Sequence, residues 1–323
     1  MALNKDTMAI IDAVAKNDLP RARAAALAAV ANDTAASRSL WRNSVRAALE
    51  SHGVDEAHRV PEGLRGKIVL EDSQAFRVGR YTLDARGLEV CAHVRRMRRA
   101  CDRLAGMGIR YANATLMHGE PGTGKTTLAR YVAYEQQLPF AYLSFANLID
   151  SYMGATSRNI HEVFSFATSF PCVLLLDELD TIAASRTTAR DGAAKELSRV
   201  TVTLMQELDR LPNGMVLLAA TNRPDIVDPA LARRFTRHVE ITRPRDPDEV
   251  HCIVENYLDD CGLCYDVDVM ESICGSWEGP MPTQDAVVNG LVEAIADHVL
   301  KGRDEDRRAP VSLRFLEEMR AGA

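Results

Sequence analysis

The sequence predicts an α/β fold: a largely parallel sheet with helices on both faces, preceded by a small helical region and followed by a second one. Three observations predict it. Between residues 115 and 241, short apolar runs alternate with stretches of helical periodicity, as strands joined by crossover helices do. A glycine-rich octet, Gly119-Glu-Pro-Gly-Thr-Gly-Lys-Thr126, stands between the first run and the helix after it. Beyond Arg243, Pro244 and Pro247 break the alternation, and only helical periodicity follows.

Residues 1–55 read as an N-terminal helical region. Ile10, Ile11, Val14 and Leu19 make one apolar face, and Pro20 suits a helix start. Residues 21–31 are alanine-rich, with Leu27 and Val30, and residues 36–50 place Leu40, Trp41, Val45, Ala48 and Leu49 near helical spacing. Such a bundle suits recruitment of a substrate or partner, or assembly, and both readings stay open. Residues 56–75 mix glycine, proline and charge and are expected to be a linker, with a short strand over 67–70.

A domain over 76–243 is expected to begin with a long helix, 84–107. Leu88, Cys91, Val94, Met97, Cys101 and Leu104 form its apolar face, and Arg95, Arg96, Arg98, Arg99 and Arg103 load the rest. No aromatic residue interleaves the arginines to stack a base, so a solvated face is the plainer reading. Strands are expected at 115–118, 140–145, 172–177, 215–221 and 238–241, and a helix at 157–166. Residues 244–301 read as a helical domain with helices at 248–260, 267–274 and 283–300. Residues 302–323 form a charged tail, with one further helix over 311–319.

Composition narrows the function. The 323 residues carry 46% hydrophobic and 26% charged side chains, ordinary for a globular protein. A net charge of −6 argues against a dedicated nucleic-acid binder. No apolar run is long enough to span a bilayer. Asp6, Asp12 and Lys16 interrupt any leader-like pattern, so a cytoplasmic location is expected. Seven scattered cysteines read as reduced thiols. Cys252, Cys261, Cys264 and Cys274 lack a second close pair for zinc and read as small buried hydrophobes.

The octet fits a phosphate-binding loop: two glycines around four residues, then lysine and a hydroxyl residue, between a strand and a helix. Its glycines let backbone N–H groups wrap phosphate oxygens at a helix N-terminus. Gly119, Pro121, Gly122, Thr123, Gly124, Lys125, Thr126 and Thr127 are the candidate nucleotide-binding residues. Lys125 would reach the outer phosphates, and Thr126 with Asp177 would hold Mg²⁺. Asp177 and Glu178 end the apolar run from Cys172, and Glu178 would accept the proton of the attacking water. Asn222 ends the next apolar run and would position that water. Arg233 and Arg234 suit stabilisation of charge on a transferring phosphoryl.

The order GEPGTGKT, LLLDELD, AATNRP and DPALARRF resembles the AAA+ ATPases, in their classical branch, over about residues 111–300. The resemblance implies a P-loop AAA+ core with a C-terminal helical lid, ATP and Mg²⁺ as cofactors, and a nucleotide site between subunits of a ring, usually a hexamer. By position it makes Asn222 sensor 1, and Arg233 and Arg234 arginine fingers acting on the neighbour's ATP. Thr283-Gln-Asp stands where the family usually has Gly-Ala-Asp. Tyr152-Met153-Gly154 resembles the first pore loop, whose aromatic grips an extended peptide, and 186–191 is the place for a second. The implied function is Mg²⁺-dependent ATP hydrolysis in a homo-oligomeric ring that remodels or threads a protein substrate, with no membrane and no nucleic acid. An ATP-gated scaffold that threads nothing is the alternative. A DNA-directed loader is opposed by the acidic net charge and the Tyr152 triplet.

Overall fold

The computed structural model describes residues 7–8, 10–11, 19–32, 60–146, 148, 156–182, 191–301 and 309–321. Its contacts divide the chain into two units, Met1–Pro61 and Glu62–Ala323. In the first, helix α1 (Leu19–Asn32) has Pro20 in its first turn and buries Ala22 and Val30. The helix expected over 36–50 lies outside the described residues, as do the Tyr152-Met153-Gly154 triplet and residues 186–190.

The second unit is built on six strands: β1 (Val69–Glu71), β2 (Asn113–His118), β3 (Phe140–Ser144), β4 (Val173–Asp177), β5 (Val216–Thr221) and β6 (Arg237–Glu240). Their order across the sheet is β1-β3-β4-β5-β2-β6, all parallel except β1, which runs antiparallel to β3. Four parallel pairings line up the C-terminal ends of β2 to β6. His118 pairs with Thr221, and Ser144 with Asp177. The five strands expected from the apolar runs are all present, within two residues of their expected starts.

Two helices cover one face of the sheet. Helix α2 (Ala85–Gly106) starts at Asp84, whose carboxylate accepts from the Gly87 amide at 2.7 Å; such a cap is worth about 1 kcal/mol. Helix α3 (Lys125–Gln136) follows the glycine-rich loop. Val90, Cys91 and Val94 of α2 and Leu128, Ala129, Val132 and Ala133 of α3 meet Met117, Leu175 and Leu218 of the sheet. Leu174, Leu176, Leu217 and Ala219 alternate with those positions and are equally buried, so the sheet is covered on both sides. Helices α4 (Thr156–Ser169) and α5 (Asp191–Asp209) pack on each other. The short α6 (Pro229–Ala232) leads into β6.

The remaining helices are α7 (Pro247–Cys261), α8 (Val267–Gly275), α9 (Gln284–Lys301) and α10 (Arg314–Ala321). They have a core of their own, with Ile253, Leu258, Met270, Leu291 and Leu316 buried together. Asp246 caps α7 with Pro247 in its first turn, and Gly262 ends it in the left-handed conformation, the arrangement expected of Pro at the start and Gly past the end.

Four expectations change. The stretch expected as linker contains the short strand expected over 67–70, as β1, but it is packed on the domain, with Leu64 and Ser73 buried. Its Glu71 forms a two-bonded ion pair with Arg130 of α3, at 2.8 and 3.0 Å. On the face expected for α2, Cys91 and Val94 are buried and Met97, Cys101 and Leu104 half-buried, but Leu88 is 56% exposed, and Gly87 and Val90 turn inward instead. Cys252 and Cys264 are exposed, and Cys261 and Cys274 half-buried, instead of buried, since α7 turns Ile253 and Val254 inward in place of Cys252. The C-terminal segment, expected as a charged tail with one further helix, has that helix as α10 and also joins a core. Val311 donates to the Cys264 carbonyl at 2.8 Å, and Val311, Leu313 and Leu316 complete the second core.

Candidate active site

The glycine-rich loop runs from the end of β2 to the start of α3, beside the ends of β5 and β6. Gly119 has φ 152°, and a Cβ there would overlap the Ile241 carbonyl oxygen beyond β6. The Ile241 amide in turn donates to His118 O at 2.7 Å. Gly119→Ala is therefore expected to destabilise the fold by about 3 kcal/mol, measurable by denaturant unfolding. Gly124 precedes α3 with φ 92°, a left-handed geometry that leaves the first amides of the helix facing the loop.

Lys125 is 8% exposed and folds back on the loop. Its ammonium donates to the carbonyls of Gly119, at 2.9 Å, and Glu120, at 2.7 Å. Burial lowers its pKa, and Asp177, Asp180 and Asp285 oppose the shift. Thr126 Oγ1 donates to Asp177 Oδ2 at 2.9 Å. Burial also raises the pKa of Asp177, against the bonds it accepts from Thr126 and the Glu178 amide. The site thus holds a cation and an anion that are both under-solvated, a state that a charged ligand relieves. A hydroxyl and one carboxylate are the hard, sparse donors that suit Mg²⁺, which keeps waters and takes phosphate oxygens as its other ligands.

Glu178 has φ 59°, a left-handed conformation that costs a non-glycine residue roughly 1–2 kcal/mol. The turn swings its side chain to β3, where Ser144 Oγ donates to Glu178 Oε2 at 2.5 Å. Ser144 is buried at the end of β3 and pairs in register with Asp177. The register of β3 against β4 is what brings it to Glu178, and the sequence alone gave no sign of it. Asp180 was equally unmarked. It accepts from Thr221 Oγ1 at 2.9 Å and from the Asn222 amide at 3.2 Å, tying the end of β5 to the turn after β4. Asn222 itself is exposed.

The two arginines are separated by their partners. Arg233 is exposed, and its Nε donates to Pro229 O of its own turn at 3.3 Å. Arg234 is held inward: its Nε lies 3.0 Å from Asp209 Oδ1 and its Nη1 2.5 Å from Ala230 O. The structure brings Lys125, Thr126, Asp177 and Glu178 together at neighbouring strand ends, and keeps Arg233 and Arg234 at the end of α6.

The C-terminal helices close over the loop. Arg243 pairs with Glu120 at 2.5 Å and donates to Met281 O at 3.3 Å. The Asp285 amide donates to Gly122 O at 3.0 Å. Two cavities adjoin the loop. One, of about 470 Å³, is lined by Arg80, Tyr81, Thr127, Tyr257 and Gln284 among others. The smaller, of about 70 Å³, includes Tyr81, Thr123, Leu128, Ile253 and Gln284.

Residues 115–243 match the profile of the family described as ATPase family associated with various cellular activities (AAA). The chain is 38% identical over 143 residues to the proteasome-activating nucleotidase of Methanococcus maripaludis, covering 43% of this chain and 35% of that protein. It is 39% identical over 145 residues to the 26S proteasome regulatory subunit 10B homolog A of Arabidopsis thaliana, covering 43% and 36%. It is 34% identical over 200 residues to the ATP-dependent zinc metalloprotease FtsH 1 of Symbiobacterium thermophilum, covering 58% and 34%. The matches span about a third of the length of these relatives. Among solved structures, the AAA domain of FIGL-1 in complex with ADP superposes with a TM-score of 0.59 at 23% identity, over 78% of this chain and 85% of that one. Residues 115–243 carry the sequence features of the AAA family of ATPases.

Proposed function

We propose that the chain is a Mg²⁺-dependent ATPase whose subunits complete one another's sites in a ring, a hexamer, and which remodels or threads a protein. The observation that carries the hydrolytic part is one geometry: Lys125 and Thr126 on the loop, Asp177 bonded to Thr126, and Glu178 fixed by Ser144. On this reading residues 119–127 wrap the phosphates. Lys125 exchanges its two loop carbonyls for phosphate oxygens. Thr126 and Asp177 would hold Mg²⁺, which would neutralise charge on the phosphates. Glu178 takes the proton of the attacking water through Oε1, since Oε2 is engaged by Ser144. Asn222 orients that water once nucleotide is bound. The base of the nucleotide enters the larger cavity, whose volume suits a small-molecule site.

Two of the relatives carry the proteasome in their names and a third is an ATP-dependent protease, which favours a protein as substrate. Residues 76–243 then act as the motor, 244–301 as the lid and 1–55 as the recruiting or assembly module. Tyr152, Met153 and Gly154 grip the substrate. No helix among the described residues is long and apolar enough to cross a membrane; a cytoplasmic protein that does not bind nucleic acid fits the acidic charge.

The exposed side chain of Arg233 makes it the residue that reaches a neighbour's nucleotide, with Arg234 bracing the turn through Asp209. Arg233→Ala is expected to lower turnover by about 10³-fold, the scale of an arginine finger, with an unchanged melting temperature. Arg234→Ala is expected to lower it less. Mixing Arg233→Ala with Lys125→Ala subunits tests the sharing. Activity that departs from the sum of the two, restored or poisoned, supports a site built between subunits; strictly additive activity at every ratio contradicts it.

A further inference from the structure

The two cavities beside the phosphate loop meet at Gln284, and Tyr81 is the other residue common to both linings. Gln284 opens helix α9, and that first turn is capped by Thr283 and tied to the loop through Asp285. The Thr283 hydroxyl accepts from the Ala286 amide at 3.3 Å, and the Asp285 amide donates to Gly122 O at 3.0 Å. Between these anchors the Gln284 side-chain oxygen lies over Gly124 so closely that a Cβ on Gly124 would overlap it. The side chain is therefore placed where the loop ends and the larger cavity begins.

A nucleotide held by residues 119–127 has its base one ribose away from the phosphates, in the cavity walled by Tyr81 and Tyr257. Two arginines of that cavity are engaged with carboxylates. Arg80 Nε lies 2.6 Å from Asp260 Oδ2, and its guanidinium stacks 5.0 Å over the Tyr257 ring. Arg130 is paired with Glu71. The neutral amide of Gln284 stands at the junction of the loop and that cavity. A primary amide presents an acceptor and donors side by side. That pair matches the adenine N6 amino group and N7; guanine offers acceptors at both O6 and N7, so one of the two bonds is lost.

We propose that Gln284 is the specificity-determining residue of the site, selecting adenine over guanine through its side-chain amide. The inference rests on the nucleotide reading above, and one experiment separates the two. The full chain is titrated in Mg²⁺ with ATP and GTP carrying a fluorescent label on the ribose. The wild type is expected to bind the ATP probe about tenfold more tightly than the GTP probe, within the range of one bidentate amide–base pair. In Gln284→Ala, and in Gln284→Leu, which keeps the bulk over Gly124, the ratio is expected to fall below about threefold, through loss on the ATP side. A structural role alone would weaken both probes by the same factor; an unchanged ratio in both variants overturns the proposal. So does a wild type that binds the two probes equally. A wild type that binds neither removes the nucleotide reading itself, and this inference with it.

Discussion

Lys125→Ala is expected to abolish measurable ATP binding while leaving the fold intact. Each hydrogen bond from an ammonium to a charged partner is worth about 1.5–3 kcal/mol, so two phosphate contacts amount to roughly 3–6 kcal/mol, or about 10²–10⁴ in affinity. The fold gives up little in exchange. In the absence of ligand, Lys125 is buried at the expense of its hydration, its pKa lowered by that burial, and its partners are two loop carbonyls. The melting temperature without nucleotide should therefore change by a few degrees at most, while ATP no longer raises it. Calorimetric titration together with thermal unfolding checks both halves. Retained affinity would mean that the nucleotide binds elsewhere.

The second large effect is at Glu178. Glu178→Gln keeps the shape of the side chain and an oxygen able to accept from Ser144, but removes the base. Turnover is expected to fall by about 10²–10⁴-fold, the contribution of a positioned general base, with ATP affinity within about threefold of the wild type. The variant would hold ATP and Mg²⁺ without forming product, which single-turnover and filter-binding measurements distinguish from a binding defect. Normal turnover would exclude Glu178 as the proton acceptor. The left-handed backbone at Glu178 supports the assignment, since the strained turn is what carries its side chain to Ser144.

Both predictions rest on residues whose position the sequence discloses. A buried parallel strand reads as an unbroken apolar run, and the residue after it sits at the edge where such sheets bind ligands. That is why Asp177, Glu178 and the loop from Gly119 were legible, along with all five strands of the parallel set. The rest was hidden for identifiable reasons. Strand β1 was expected as a short strand over 67–70, but at three residues on the sheet edge, with Val69 52% exposed, it gave no sign that the stretch around it packs on the domain. On α2 only the first position of the face was misjudged, because Leu88 and Val90 fit helical spacing about equally well, and only packing on the sheet decides which turns inward. Ser144, Asp180 and the Arg243–Glu120 pair join residues 34, 41 and 123 positions apart, contacts that the strand order creates. Gln284 stood out in the sequence only as a departure from the family's Gly-Ala-Asp; its place over Gly124 gives that departure a physical meaning.

The account's central claim is that ATP is hydrolysed at a site that one subunit begins and the next completes. The measurement that tests it most directly is specific ATPase activity against protein concentration, with Mg²⁺ present and the oligomeric state followed by sizing. The account predicts that specific activity rises with concentration and reaches a plateau as the assembly fills, because Arg233 reaches the phosphates only from a neighbour. Activity that stays constant down to concentrations where the chain is a monomer would contradict it.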